Sequence, residues 1–398
     1  MHALKMIHQM IQENCPSIHA TRLTSLLDAV ESLLYGQTLT VTGLGRSSLR
    51  ASGMKHSIKH SDRLIGNGHL CQERLSIYQA VARRLLGANP QPIVLVDWSD
   101  YTYDQSHLIL RAAIPVGGRG LTLYEEVHPQ KCYGNTSIEK RFLQTLQAVL
   151  PPDCTPMVVT DAGFKAPWFK AVAKLGWQYL GRLSKSMLYR PQEADRWWKC
   201  QDLFAQASAT PGYQGPVELV RSNPLPCHLY HYQRPKQGRH KKTRYGRPAQ
   251  SKHSKKNAQR ETSPWILASS LGPEEASAKQ IIQLYRTRMQ IEEAFRDIKN
   301  QRTGLCLSET RTRSPERLAN LLLVGMLATL LIWMLGRFAE AQQWQYQYQA
   351  NTVKTYRVLS LFYLGCLLLV QGRCQFTPHE FQHAITLVQQ DMQKQWLA

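Results

Sequence analysis

Residues 92–97 read PIVLVD, a short and almost wholly apolar run that ends in an acid. Apolar runs of this length are typical of strands that are buried in the middle of a sheet. Two further strand-like runs follow over residues 107–115 and 121–127, and the Gly117-Gly118-Arg119-Gly120 connection between them predicts a hairpin. The first three strands are therefore expected to form a meander.

The segments after residue 130 predict two more strands, each preceded by a helix. Thr136 and Glu139 have the spacing of a capping box, which predicts a helix that reaches about residue 149. Residues 156–161, PMVVTD, predict a fourth strand that also ends in an acid, and a helix over 168–175 leads to a fifth strand over 177–183. The predicted order, β-β-β-α-β-α-β, indicates an α/β fold with a mixed five-stranded sheet, as in ribonuclease H.

The composition indicates a globular protein with a polyanionic partner. The chain has 398 residues, of which 43% are hydrophobic, so it can bury a core and should form two or three domains. This excludes a disordered tail, a small disulfide scaffold and a collagen-like fibre. The 49 Lys and Arg residues outnumber the 28 Asp and Glu residues, and the formal net charge is +21. Such a charge favours binding to nucleic acid or to a membrane surface.

The cysteines and the first ten residues indicate a cytoplasmic protein. The nine cysteines are scattered and form no CxxC pair, which argues against a zinc ribbon and against a disulfide framework. The opening MHALKMIHQM lacks a continuous apolar stretch, so we expect no signal peptide.

An apolar run over residues 321–336 tests the membrane hypothesis. It has 16 residues, which is short of the ~20 that a bilayer core requires. Ser314, Pro315 and Glu316 precede it in the order of an N-cap and the first two helical positions. A second run, over 359–370, is shorter. We therefore expect two buried core helices and no membrane.

The N-terminal region, residues 1–85, is expected to be helical and to bind DNA. Apolar residues recur there at helical spacing, and a basic stretch follows Gly43 and Gly45. Short helices with basic side chains between them suit a helix-turn-helix-like DNA reader, although a solvated helical surface has a similar sequence. The candidate DNA contacts in this region are Arg46, Arg50, Lys55, Lys59 and Arg63.

Residues 184–275 interrupt the α/β pattern with short strand-like runs and a basic loop. The loop, residues 234–260, contains 11 Lys or Arg residues in 27 positions and no acid. A phosphate-backbone clamp is the favoured hypothesis, because each neutralised phosphate releases counterions, and a solubilising loop is the alternative. The candidate contacts are Arg239, Lys241, Lys242 and Arg244.

A long helix is predicted from about residue 276. At about 100° per residue, Tyr285, Arg288, Glu292 and Lys299 project within an arc of about 60°. One helix face would then present a phenol, a guanidinium, a carboxylate and an ammonium group in a row. Ordinary i,i+4 pairs on a solvated helix are the alternative explanation.

Three acids suggest a site for divalent metal ions. Asp97 and Asp161 each follow an apolar strand, and in the expected sheet order these strands are neighbours, so both carboxylates should lie at one sheet edge. Glu292, on a helix packed across the sheet, would complete a set that can hold two Mg²⁺ ions about 4 Å apart for phosphoryl transfer. Mn²⁺ also accepts oxygen ligands of this kind.

Each acid also has a plainer explanation. A single Asp after a strand is more often a turn residue than a metal ligand, and Asp100 competes with Asp97 for the role of first acid. Cys227, His228 and His231 form the nearest alternative metal set, but they lack a convincing fourth ligand.

These motifs resemble a known family. Asp97 in LVDWSD, Asp161 in VVTDAGF and the pattern Tyr285-x2-Arg288-x3-Glu292-x6-Lys299 are similar to the DDE and Y-R-E-K motifs of bacterial cut-and-paste insertion-sequence transposases. The resemblance extends over essentially the whole chain. It is closest to the branch that contains the transposases of the tetracycline- and kanamycin-resistance composite transposons, which carry a β-rich insertion between the second Asp and the Glu.

The resemblance implies a role for each matching residue. Asp97, Asp161 and Glu292 would be catalytic and would bind the metal. Tyr285, Arg288 and Lys299 would hold phosphates near the cut, although Arg296 lies on a face close to that of Lys299. Trp265 would stack on a base that is flipped out of a DNA hairpin, or it would be a core tryptophan between strands.

The implied activity is excision through hairpin intermediates at terminal inverted repeats, followed by joining of the 3′-hydroxyl ends to target DNA. Double-stranded DNA would be the partner, a homodimer the active form, and Mg²⁺ or Mn²⁺ the cofactor. A metal-dependent nuclease without strand transfer and a non-catalytic, transposase-derived DNA-binding protein are the alternatives.

The expected segments are a helical DNA-binding domain (1–85), the first part of the ribonuclease H-like core (86–183), the β-rich insertion domain (184–275), the second part of the core (276–340) and a C-terminal helical region that is a candidate for dimerisation (341–398).

Overall fold

The computed structural model describes residues 2–101, 105–235, 246–251, 263–373 and 377–397. In these ranges the α-helices are α1 (His2–Asn14), α2 (Ala20–Gly36), α3 (Val41–Arg46), α4 (Met54–Ile65), α5 (Gly68–Leu86), α6 (Thr136–Val149), α7 (Ala166–Lys174), α8 (Ala278–Arg286), α9 (Met289–Lys299), α10 (Pro315–Ala341), α11 (Leu361–Val370) and α12 (Pro378–Leu397). The strands are β1 (Ile93–Asp100), β2 (His107–Val116), β3 (Arg119–Pro129), β4 (Met157–Thr160), β5 (Gln178–Arg182), β6 (Leu188–Pro191), β7 (Trp198–Lys199), β8 (Gly212–Leu219), β9 (Leu225–Tyr232) and β10 (Trp265–Ser269).

The fold class is mixed α/β, as predicted. The element order β1-β2-β3-α6-β4-α7-β5 is consistent with a ribonuclease H-like core. The chain divides into two compact units, one formed by Met1–Cys154 with Met289–Leu397 and the other by Thr155–Arg288. The segment boundaries expected from the sequence remain predictions.

The first unit contains the antiparallel strands β1, β2 and β3. The predicted hairpin joins β2 to β3 through Gly117 and Gly118, whose φ angles are 56° and 90°. A two-residue turn of this kind requires positive φ at both positions, which glycine adopts without steric cost. The glycine pair therefore explains the register of the two longest strands.

The core of the first unit is built around α10. Ser314 caps this helix and Pro315 occupies its first turn, as predicted. The helix has 27 residues, so the prediction that it is too short to cross a bilayer was wrong; by length and composition alone it could span one. However, 94% of its most apolar window is buried within the protein, and it packs against α2, α11 and α12. This burial is the behaviour of a core helix.

The start of α6 differs from the prediction. Asn135, rather than Thr136, is the N-cap, and its side-chain oxygen accepts hydrogen bonds from the amides of Ser137 and Ile138. Glu139 is buried, and its carboxylate accepts a hydrogen bond from Trp98 Nε1 at 3.3 Å. The predicted capping box is wrong because the preceding Asn satisfies the amides and the Glu packs inward.

In the second unit, seven strands are hydrogen-bonded in the order β4-β5-β10-β9-β8-β6-β7. Strands β4 and β5 are parallel, whereas the other described pairs are antiparallel. Strands β6 to β10 come from the segment predicted to be β-rich, and β10 adds them to the edge of β5.

The long helix predicted from residue 276 is interrupted. Helix α8 ends at Arg286, α9 begins at Met289, and Thr287 and Arg288 form a turn between them. The amides of Thr287 and Arg288 bond to carbonyls three residues back, and Thr287 Oγ1 donates to the Leu284 carbonyl at 2.6 Å. Such side-chain bonding competes with the helical pattern. The prediction that one helix face carries all four functional groups is therefore wrong.

Candidate active site

Asp97 lies within a strand instead of at its end. Strand β1 continues to Asp100, because residues 98–100 pair with residues 108–110 of β2. The expectation that Asp97 ends its strand was wrong. Asp97 is nevertheless the buried acid, at 9% exposure, whereas the side chain of Asp100 is 54% exposed.

Glu292 lies in the first turn of α9 and is exposed. A carboxylate in this position is favoured by the positive end of the helix dipole. Helix α9 packs against β1, β2 and β3, and Gly120 allows this approach, since a Cβ there would lie 3.2 Å from the Ile291 Cα. Asp97 and Glu292 therefore belong to elements that pack together in the first unit.

An ion pair also holds α9 on β3. Arg119 Nε donates to Asp297 Oδ2 at 2.6 Å, and Arg119 Nη1 lies 3.8 Å from Glu293 Oε2. Burial raises the pKa of Asp297 to about 6, although the neighbouring Arg119 opposes this shift.

A buried arginine that sequence reasoning missed lies beside Asp97. Arg111 on β2 is the register partner of Asp97 on β1 and of Glu125 on β3. Arg111 and Glu125 are each 3% exposed and form an ion pair. The Arg111 Cζ lies 4.5 Å from the centroid of the Phe295 ring on α9. The signal in the sequence was a single charged residue within the otherwise apolar run LILRAAIPV.

Lys299 contacts the end of β1. Its Nζ donates to Ser99 Oγ at 2.7 Å and lies 3.8 Å from Asp100 Oδ1. Burial lowers the pKa of Lys299, while the charge of Asp100 acts in the opposite direction. Arg296, the other basic candidate on this helix, is 64% exposed and pairs with Glu293 at 2.6 Å.

A cleft of about 910 Å³ begins at Lys299 and Asp100. Its lining includes Arg311 and Arg313, two exposed arginines that the sequence analysis did not single out. Their signal was the alternating basic pattern RTR just before the cap of α10. The cleft therefore presents positive charge next to the end of β1.

In the second unit, Asp161 shares its electrostatic surroundings with Arg182 and with two candidate residues, Tyr285 and Arg288. Asp161 directly follows β4, and its Oδ1 accepts a hydrogen bond from the Gly163 amide at 2.8 Å. Arg182, at the end of β5, has its pKa lowered by burial. The neighbouring Tyr285 phenol and Asp161 carboxylate oppose that shift and the Arg288 guanidinium reinforces it, so all four groups share one electrostatic environment. Arg182 is a further residue that sequence reasoning missed.

Trp265 is the first residue of β10 and is half-buried. Its ring centroid lies 4.9 Å from that of Tyr285, with the rings edge to face, and 5.5 Å from that of Tyr232. Arg182 Nη2 donates to the carbonyl oxygens of Ser263 and Pro264, at 3.4 Å and 3.1 Å, and so supports the segment just before Trp265.

The basic candidates of the N-terminal region lie on α3, α4 and the connection between them. Lys55, Lys59 and Arg63 are exposed and recur every four residues, so they share one face of α4. Arg46 ends α3 and is exposed, whereas Arg50 pairs with Asp28 at 2.7 Å.

The remaining candidates belong to the basic loop and to the alternative metal set on β9. Arg239, Lys241, Lys242 and Arg244 lie outside the described residues. Cys227 is buried on β9, and His228 Nδ1 lies 2.7 Å from the hydroxyl oxygen of Tyr213. Among the residues that the structure describes, no group of three or more His, Cys, Asp or Glu side chains is close enough to hold a metal ion.

The three acids are divided between the two units. Asp97 and Glu292 belong to the first, and Asp161 belongs to the second. The donor chemistry fits a hard divalent cation, since all three groups are carboxylates.

Comparisons with known proteins identify a family. Residues 88–331 match the family described as the transposase DDE domain, and this span contains Asp97, Asp161 and Glu292. Among solved structures, the chain is similar to the cryo-EM structure of the piggyBac transposase synaptic complex with hairpin DNA, with a TM-score of 0.40 and 10% identity over 96% of this chain and 80% of that one. No curated protein sequence matches the chain.

Proposed function

Because the chain belongs to the family of transposases with a DDE domain, we propose that it is a cut-and-paste DNA transposase of the bacterial insertion-sequence type. The observation that carries the proposal is the family match over residues 88–331, within which all three candidate acids lie. Domains of this family use divalent metal ions, and we propose Mg²⁺, with Mn²⁺ as a substitute.

Asp97, Asp161 and Glu292 would hold the metal ions. When bound, such ions activate an attacking hydroxyl group and stabilise the leaving oxygen in phosphoryl transfer. The protein supplies charged ligands from a buried strand position and from a helix N-terminus.

Cationic side chains around the acids would hold the DNA strand. Lys299, Arg311 and Arg313 line the cleft at the end of β1, and in the second unit Arg288 shares its surroundings with Asp161. Phosphate contacts of this kind fix the position of the strand without reading its sequence.

Trp265 would stack on a base that leaves the duplex when a hairpin forms. Extruding a base costs a few kcal/mol, and stacking on an aromatic ring offsets about 1–3 kcal/mol of this. The half-buried ring is supported on one side by Tyr285, so it is held in place and still partly accessible.

The partner would be double-stranded DNA, first the terminal inverted repeats of the element and then the target. A homodimer bridging two ends is the proposed active form, and the cytoplasm, where bacterial DNA lies, is the proposed location. The exposed basic face of α4 would contact the repeats.

The experiment uses a plasmid that carries the terminal repeats flanking the gene, with purified protein and Mg²⁺. We expect excised fragments with hairpin ends and, on addition of target plasmid, joined products. Asp97→Asn, Asp161→Asn and Glu292→Gln should bind the ends and leave them uncut, whereas the matched control Asp100→Asn should retain cleavage. Normal excision by one of the three variants would remove that acid from the site.

The same assay separates the alternatives. Cleavage without joined products would indicate a nuclease, and binding without cleavage by the unmodified protein would indicate a DNA-binding protein that has lost its activity. Either result would overturn the proposed function.

A further inference from the structure

We propose that Arg111 is a positioning residue for the reaction: held by Glu125, its guanidinium fixes Asp97 on the sheet and anchors the helix that carries Glu292. The inference rests on the proposed function and deepens it, because it assigns a role to a buried ion pair that none of the sequence motifs includes. Three observations within the first unit carry it.

The first observation is the register of the strands. Asp97, Arg111 and Glu125 lie opposite one another on β1, β2 and β3. Residues directly opposite each other in antiparallel strands project from the same sheet face, with Cβ atoms about 4.5–5.5 Å apart. The three side chains therefore form a row in which a positive charge lies between two negative ones.

The second observation is the burial of the Arg111–Glu125 pair. The exposed fractions of the two side chains are 4% and 1%, and Arg111 Nε and Nη2 both donate to Glu125 Oε2, at 2.8 Å and 2.5 Å. Tyr78 donates its hydroxyl to the other carboxylate oxygen, Oε1, at 3.4 Å. Buried ion pairs contribute little net stability compared with apolar residues of similar size, because both charges lose their hydration. The pair is better explained by the order it imposes on its neighbours.

The third observation is the contact with α9. The Arg111 guanidinium lies over the ring of Phe295, which is three residues after Glu292, and Lys299 Nζ lies 5.3 Å from the centroid of the same ring. A planar guanidinium can lie flat on an aromatic face while its N–H groups donate hydrogen bonds in its own plane, a geometry that the tetrahedral ammonium of a lysine does not have. Arg111 therefore links the strand next to Asp97 with the middle of the helix that carries Glu292.

Through these contacts Arg111 would affect the metal site in two ways. Its charge partly neutralises the acid row before a cation arrives, and its stacking restricts the rotation of α9. Removing such supporting groups around a metal site typically lowers metal affinity or activity by about 10–100-fold.

The test replaces the pair with apolar residues in Arg111→Met/Glu125→Leu and uses Arg22→Met/Glu73→Leu as the matched control. Arg22 and Glu73 also form an ion pair, in which Arg22 Nε donates to Glu73 Oε2 at 2.6 Å, but they join α2 to α5. Three quantities are measured for each protein: the thermal midpoint, the affinity for end-containing DNA in EDTA, and the Mn²⁺ affinity of the DNA complex by electron paramagnetic resonance.

We expect the Arg111→Met/Glu125→Leu variant to bind DNA in EDTA as the unmodified protein does, and to bind Mn²⁺ at least about tenfold more weakly, with a similar loss of cleavage rate. The control pair should leave Mn²⁺ affinity unchanged. Unchanged Mn²⁺ affinity in the Arg111→Met/Glu125→Leu variant would overturn the proposal.

A second variant covers the case in which the apolar pair does not fold. Arg111→Lys keeps the charge and loses the planar stack, so it should retain DNA binding and still weaken Mn²⁺ binding. Full Mn²⁺ affinity in Arg111→Lys would overturn the proposal. Failure of the unmodified protein to join strands would instead refute the proposed function, and the Mn²⁺ comparison would still decide the role of Arg111.

Discussion

Phe295 on α9 covers the guanidinium of Arg111 on β2, with 4.5 Å between the Arg111 Cζ and the ring centroid. This contact joins the helix that carries Glu292 to the strand that pairs with β1, on which Asp97 lies. One aromatic side chain thus links the elements that carry two candidate acids distant in the sequence.

Phe295→Leu should lower the cleavage rate more than its effect on stability explains. Loss of the ring removes the stacking on Arg111 and leaves space in the core, which should cost about 1–2 kcal/mol of unfolding free energy. The measurements are urea unfolding and the rate of first-strand nicking. Phe142→Leu, at a fully buried position on α6, is the matched control and should lose stability while it keeps its nicking rate. Equal nicking rates for the two variants would contradict the prediction.

Asp297→Asn should change the pH dependence of stability. The pKa of Asp297 in the folded protein is raised from 3.8 to about 6, so the folded state binds its proton more tightly than the unfolded state does. The stability contributed by that proton is present below about pH 3.8 and is lost as the pH rises through about 6. Relative to the unmodified protein, the Asn variant should therefore gain up to about 3 kcal/mol between pH 4 and pH 7.

Urea unfolding of both proteins at the two pH values measures this gain. Asn cannot ionise but can still accept a hydrogen bond from Arg119, so the comparison isolates the charge. A stability difference that is the same at both pH values would show that burial does not raise the pKa of Asp297.

Trp265→Ala should slow hairpin formation by about 10–100-fold and leave the first nick nearly unchanged. The loss corresponds to about 1–3 kcal/mol of stacking on an extruded base, which only the hairpin step requires. Trp265→Phe retains an aromatic face and should recover part of the rate. Single-turnover assays that resolve nicked and hairpin products supply the measurement. Equal slowing of both steps would indicate that Trp265 only packs against Tyr232 and Tyr285.

Replacing Lys55, Lys59 and Arg63 with Gln should weaken binding to the terminal repeats and reduce its salt dependence. Each lost phosphate contact lowers the slope of log K against log[salt] by about 0.9, so three contacts correspond to about 2.7. Fluorescence anisotropy at several salt concentrations provides the slope. A slope equal to that of the unmodified protein would show that this face of α4 is solvated and does not contact the DNA.

The control for that variant removes the same number of charges from exposed lysines elsewhere. These are Lys5, Lys140 and Lys354. If the control and the α4 variant lose equal slope, the effect comes from net charge instead of from contact with DNA.

The order of the strands was predictable because its signals are local. PIVLVD and PMVVTD are short apolar runs in the sequence, and Gly117 with Gly118 marks the turn between β2 and β3. Burial of α10 was also predictable from its composition, although its length was not, because the helix continues beyond the apolar run at both ends.

The helix predicted from residue 276 shows where local patterns fail. Its periodicity continues across Thr287, but the hydroxyl of that residue bonds to the Leu284 carbonyl, and the helix is interrupted there. Likewise, Asn135 displaced Thr136 as the cap of α6 because it satisfied the same amides one residue earlier. Periodicity describes which face is apolar and does not show which side chain competes for a backbone group.

The sequence by itself determined the order of the core strands and the choice of the three acids and of the aromatic and basic candidates. These depend on residue type and on spacing along the chain. Only the tertiary structure decided that Arg111 lies between Asp97 and Glu125 and beneath Phe295. Strand register and helix packing bring together residues far apart in the chain. They are determined by the sum of many weak contacts, so no single motif records them.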